Sequence, residues 1–167
     1  MSDTKDNLGA AFAGESQANR KYLFFAEKAV QEGYKQVAKL FRAAADAETV
    51  HARNHLKVMQ GIKSTRENLL AAKGGENYEF TEMYPEFIKQ AETEGNNKAK
   101  DSFNLANQVE QIHHGLFDAA LGKVEKGETL AGKSIYVCQY CGNTVEEEAP
   151  EKCPVCGAPR KIFKLIE

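Results

Sequence analysis

This chain of 167 residues predicts an all-α four-helix bundle followed by a small metal-binding β domain. Three observations carry that expectation. Four stretches repeat apolar residues at helical spacing, the mark of helices that bury one stripe. Acidic residues lie within those stripes, and the element Glu-x-x-His occurs twice, as Glu48 to His51 and as Glu110 to His113. All four cysteines fall in the last thirty residues, as two Cys-x-x-Cys pairs.

The first helix is expected from about Thr4 to Glu32, with Leu8, Ala11, Phe12, Ala18, Tyr22, Ala26 and Ala29 on one stripe and Gly33 as its stop. The second runs from about Lys35 to Gln60, with Val37, Phe41, Ala44, Ala52 and Met59 on its stripe and Gly61 after it. The third covers about Glu76 to Glu94 and ends at Gly95, and Pro85 within it removes a backbone donor and favours a kink. The fourth covers about Asn97 to Lys126 and ends at Gly127, its stripe formed by Ala99, Phe103, Ala106, Phe117, Leu121 and Val124. Gly61 to Gly75 reads as a long crossover between bundle ends. Within it, Ser64 and Glu67 have capping-box spacing, which predicts a short helix over Thr65 to Lys73. These elements make residues 1–127 one domain and 128–133 a linker. Residues 134–167 form a second domain with β-prone runs at Ser134 to Val137 and Lys161 to Ile166. So small a domain needs a staple, which the cysteines supply.

Composition narrows the classes of function. A formal net charge of -2 gives no basic excess for nucleic acid, and no apolar run is long enough for a bilayer. The polar start, Met-Ser-Asp-Thr-Lys-Asp, lacks an apolar signal core, so the expected location is the cytoplasm.

The phase of the acids points to metal chemistry. At 100° per residue Glu15, Glu48 and Glu110 fall in the middle of the first, second and fourth apolar stripes. A buried carboxylate costs several kcal/mol unless it is paired or bound to a cation, so three such acids call for a shared metal. Residues three apart share a helix face, so each Glu-x-x-His aims a carboxylate and an imidazole at one point. On the third helix Glu76, Glu79, Glu82 and Glu86 lie at the edge of the arc of Phe80, Met83, Phe87 and Ala91, and phase does not choose among them. Surface glutamates are the ordinary alternative for any one of these positions. His55 and His114 read as packing or supporting residues. Carboxylate and imidazole donors suit iron, manganese or zinc.

In the tail, Cys138, Cys141, Cys153 and Cys156 form two knuckles, followed by Gly142 and Gly157, that place four thiolates around one metal. Zinc there would be a staple, and iron would be a one-electron carrier.

With both sites described, the chain resembles the rubrerythrin family over nearly its whole length. The resemblance rests on Ala13-Gly14-Glu15-Ser16-Gln17-Ala18, on Glu48-x-x-His51, on Tyr78-Glu79-Phe80-Thr81-Glu82-Met83-Tyr84-Pro85, on Glu110-x-x-His113 and on the cysteine tail. It implies a ferritin-like four-helix bundle with a long crossover, holding two irons in an oxo- and carboxylate-bridged centre. It also implies a rubredoxin-like domain with one iron in the tetracysteine site. By that likeness Glu48 and Glu110 bridge the irons, and Glu15 is terminal on one and Glu79 and His113 on the other. Glu82 and His51 are alternative ligands of the first iron, and Tyr22 hydrogen-bonds near the site. The implied activity is an NADH-linked peroxidase that reduces hydrogen peroxide, fed by an electron-donor reductase or rubredoxin. Its electrons enter at the tetracysteine iron and pass to the di-iron centre of a neighbouring subunit in a homodimer or larger homo-oligomer. The crossover looks shorter than in longer relatives, which bears on how helix hairpins pair between subunits. Competing expectations are a ferroxidase or iron-storage protein and a zinc-stapled binding module.

Overall fold

The computed structural model describes residues 3–167, and the chain divides into two compact units, one ending at Lys63 and the other spanning Ser64–Glu167. In the first unit α1 (Thr4–Gln31) begins where the Asp3 carboxylate accepts from the Asp6 amide at 2.8 Å. It stops before Gly33, whose φ of 87° suits a residue without a Cβ. α2 (Lys35–Val58) then runs back along α1. Their seam is built of small side chains: Ala26, Ala29 and Ala38 are buried together with Phe41 packed on them. Tyr22, Phe25 and Phe41 form an aromatic group with ring centroids 5.6 to 6.4 Å apart. Other large apolar residues of this hairpin, among them Phe24, Val37 and Leu40, are exposed.

The second unit opens with α3 (Thr65–Tyr78), started by the capping box of Ser64 and Glu67 that the sequence predicts. The helix does not end at Lys73. It continues through a π turn (Glu79–Met83) into α4 (Tyr84–Thr93), so most of the segment expected as crossover is helix. Gly74 and Gly75 sit inside α3 without positive φ and therefore do not act as stops. Only residues 59–64 separate α2 from α3. Pro85 stands in the first turn of α4, where its missing N–H leaves no bond unmade, and the π turn before it takes the place of the expected kink. α5 (Asn97–Glu125) packs against both α3 and α4. Arg66 to Glu125 at 2.7 Å and Lys73 to Asp118 at 2.5 Å set the register of α3 on α5.

The C-terminal residues form an antiparallel sheet of β1 (Ile135–Cys138), β2 (Thr144–Glu146) and β3 (Phe163–Ile166), with β1 central. The first and third strands are where the sequence places them. β2 follows directly from the turn that carries Cys141 and Gly142. Among the described residues no helix is long and apolar enough to cross a membrane.

Candidate metal centres

Each unit gathers its own ligand set. On the first, Glu15 of α1 and Glu48 and His51 of α2 bring ligand atoms within 4.8 Å of one another. His51 Nδ1 lies 2.8 Å from Glu48 Oε2 and 4.0 Å from Glu15 Oε1. One turn from Glu15, the Asn19 amide donates across the hairpin to the Ala45 carbonyl at 2.7 Å and to the Thr49 hydroxyl at 2.9 Å. These bonds bracket Glu48 and hold it level with Glu15.

On the second unit the close set is Glu76 of α3 with Glu110 and His113 of α5, again within 4.8 Å. His113 Nδ1 is 2.7 Å from Glu110 Oε2, and its other ring nitrogen, Nε2, is 2.9 Å from Thr144 Oγ1 on β2. Burial, and after it the charge of Glu110, pushes the Glu76 carboxyl up to about 7. Burial and Glu110 also raise Glu79. Tyr84 is raised by burial first and then by Glu79, Glu110 and Glu76, so its phenol faces the same acids. A π turn needs five residues to return to one face, and the Tyr84 amide bonds the Glu79 carbonyl. That stacks Tyr84 over Glu79 and turns Glu82 outward, where it is exposed beside Tyr78, Pro85, Glu86 and Lys89. Tyr22 sits in the aromatic group of the first hairpin, and His114 packs its ring on Phe80 at 5.5 Å.

Glu76 was visible in sequence as part of the acidic row on the third helix. Neither Tyr84 nor Thr144 stood out there: the first needs the π turn to be placed, and the second belongs to a strand that periodicity does not show.

Both sets suit iron. Two carboxylates and an imidazole converging on one point are the donors of a carboxylate-bridged centre. Glu76 and Glu110, crowded together as acids, gain from a cation between them. One turn before Glu110, the buried Asn107 amide oxygen has no hydrogen-bond partner.

The cysteine cage fits a single ion more tightly. Cys138 and Cys156 sulfurs are 3.7 Å apart and those of Cys141 and Cys153 3.6 Å. A tetrahedral ion with bonds of ~2.3 Å needs sulfurs about 3.8 Å apart. Gly142 and Gly157 close the knuckles with φ of 87° and 75°. Buried Asn143 donates from Nδ2 toward Cys153 Sγ at 3.6 Å, while its carbonyl accepts from the Cys138 amide. Burial raises the Cys141 and Cys156 thiols. It also opposes ionisation of Cys153, yet the Cys156 and Val155 amides bring that thiol down to about 7.

Helices carrying two Glu-x-x-His ligand sets, with a tetracysteine sheet domain behind them, define an iron-binding oxidoreductase of the ferritin-like di-iron class. Residues 6–121 match the family model Rubrerythrin, and residues 136–164 match that of the rubrerythrin rubredoxin-like domain. The chain belongs to the rubrerythrin family. It is 37% identical to a rubrerythrin of Porphyromonas gingivalis over 99% of this chain and 91% of the other. With nigerythrin of Nitratidesulfovibrio vulgaris it shares 34% identity over 98% of this chain and 86% of the other. Solved structures of nigerythrin in mixed-valence and fully reduced, all-ferrous states align with a TM-score of 0.58 at 34% identity, over 99% of this chain and 88% of theirs. The cofactors are therefore two irons in a di-iron centre and one in the tetracysteine site.

Proposed function

We propose that the protein is a peroxidase that reduces hydrogen peroxide to water in defence against oxidative stress. In this reading NADH is the ultimate reductant, through an external reductase or rubredoxin. The carrying observation is that a tetracysteine cage and a Glu-x-x-His ligand set lie on one unit, joined through His113 and Thr144. When bound, the irons supply the two electrons that split the O–O bond, with single-electron resupply from the tetracysteine iron. The remaining work belongs to the side chains. Glu48 and Glu110 would be shared by both irons, Glu15 would hold one and Glu79 and His113 the other, and Glu82 and His51 would alternate on the first. Glu82 stands exposed near the end of the π turn, and its side chain is the one proposed to move toward the centre. Glu76, its carboxyl pushed up to about 7 by burial and then by Glu110, shares a proton with Glu110 near neutral pH and is the residue proposed to pass it on. The raised Tyr84 phenol stays protonated beside the same acids. Tyr22 is proposed to donate near Glu15 from the aromatic group.

We also propose that two copies of the chain complete one centre. A ferritin-like bundle needs one crossover along its length, and α2 is 24 residues, about 36 Å. The connection over residues 59–64 reaches about 25 Å at full extension. Exposed Phe24, Val37 and Leu40 on one hairpin and Leu70 and Phe87 on the other unit supply apolar surface for such pairing.

The test is stopped-flow mixing of anaerobically reduced, iron-loaded protein with hydrogen peroxide. The di-iron and tetracysteine bands should both return to their oxidised form with water as product. Ferrous protein that survives peroxide unchanged would sink the proposal.

A further inference from the structure

The structure assigns a positioning role to Thr144: its hydroxyl fixes the ring of His113 and latches the tetracysteine domain onto the helix that carries that histidine. The inference rests on the reading of His113 as an iron ligand.

The geometry is a short chain of polar contacts. His113 Nε2 lies 2.9 Å from Thr144 Oγ1, and Thr144 Oγ1 donates to the Gly142 carbonyl at 3.2 Å. A hydroxyl that donates to a carbonyl has its lone pairs left for an N–H, so Thr144 is set to accept from a proton on His113 Nε2. Nδ1 faces Glu110 Oε2 at 2.7 Å and shares a proton with it, and a metal taking Nδ1 as ligand would displace that proton. A ligating histidine normally has its other ring nitrogen held in this way, which sets both tautomer and ring angle. Here the holding group belongs to the neighbouring domain, three residues beyond Cys141.

A second contact marks the same seat. Gly142 lies so close to α5 that a Cβ there would stand 3.6 Å from Val109 Cγ1, and Val109 is only 2% exposed. Val109 and His113 are one turn apart on α5, so Gly142 and Thr144 dock on a single face. The cavity that Thr144 shares with Glu76, His113 and Phe117 opens beside this seat. The turn between Cys141 and β2 thus serves both centres, closing the cage on one side and orienting a bundle ligand on the other.

The test compares wild type with Thr144→Val, Thr144→Ser and His113→Ala in the full-length protein with its tetracysteine site filled. In the zinc-loaded chain, nitrogen NMR should show His113 protonated at Nε2 with a slowly exchanging proton in wild type and in Thr144→Ser. That proton should lose its protection in Thr144→Val. In anaerobic ferrous titrations Thr144→Val should bind iron in the bundle about tenfold or more weakly. Thr144→Ser should stay close to wild type, and an unchanged tetracysteine spectrum reports an intact fold. A His113 lacking a proton on Nε2 would overturn the role, as would a valine variant equal to wild type or a serine variant as weak as valine. Full iron binding by His113→Ala would defeat the ligand reading instead, while the Nε2 proton still reports on the latch.

Discussion

Replacing Glu76 with glutamine should flatten the dependence of the metal-free protein's stability on pH. The native carboxyl titrates at about 7 against 4.5 for its ordinary value, because it is part-buried and faces Glu110. Between those values the native state holds a proton that the unfolded chain has released. Stability is therefore full below pH 4.5, falls as pH rises toward 7, and is level above it. At 1.36 kcal/mol per pH unit the ceiling is about 3.4 kcal/mol. Glu76 is only partly shielded from water, and screening brings the expected loss to about 1–2 kcal/mol. Glutamine keeps the shape and a hydrogen bond to Glu110 but carries no charge. The assay is urea unfolding of chelator-treated protein at pH 5 and pH 8, followed by circular dichroism. Wild type should lose about 1–2 kcal/mol between the two and Glu76→Gln much less. Identical losses in both would show that Glu76 and Glu110 do not share a proton, and the reasoning would fail.

The two Glu-x-x-His copies should respond differently to substitution. Glu82→Ala should slow reoxidation while leaving ferrous binding nearly intact, whereas His113→Ala should weaken both, and equal losses in iron titration and turnover would contradict the proposed ligand exchange. Ala38, fully buried in the seam of α1 and α2, has no room for a larger group. Ala38→Leu should therefore cost about 1–3 kcal/mol, read as a lower melting temperature. If two copies complete one centre, iron affinity in the bundle should fall on dilution while the tetracysteine colour holds, and analytical ultracentrifugation at the same concentrations should show dissociation. Affinity independent of concentration would mean that one chain suffices.

Much of this architecture could be read from residue order. Helix ends at Gly33, Gly95 and Gly127 follow from a need for positive φ, and the structure places φ of 87°, 68° and 72° there. Phase put Glu15, Glu48 and Glu110 on inward stripes because a 3.6-residue period is rigid over many turns. The same rule failed to choose an acid after α3, because the π turn at Glu79–Met83 breaks the period where the choice lies. Gly75 misled for a related reason: a glycine ends a helix only when the chain turns there, and here it continues. Thr144 lies beyond any sequence rule, since its importance comes from a contact 31 residues away in the chain.

The four cysteines carry a consequence for the order in which this molecule is made. Before metal arrives, Cys153 is substantially a thiolate at neutral pH, with the Cys141 sulfur 3.6 Å away. A thiolate is the form that oxidants attack, and a sulfenic acid beside a second thiol condenses to a disulfide. The proposed substrate is such an oxidant. An unfilled cage therefore races between loading and self-crosslinking, and a chain that meets peroxide first is lost to metal until a reductant reopens it. Iron ahead of oxidant is thus the order that keeps all four thiolates available to the metal.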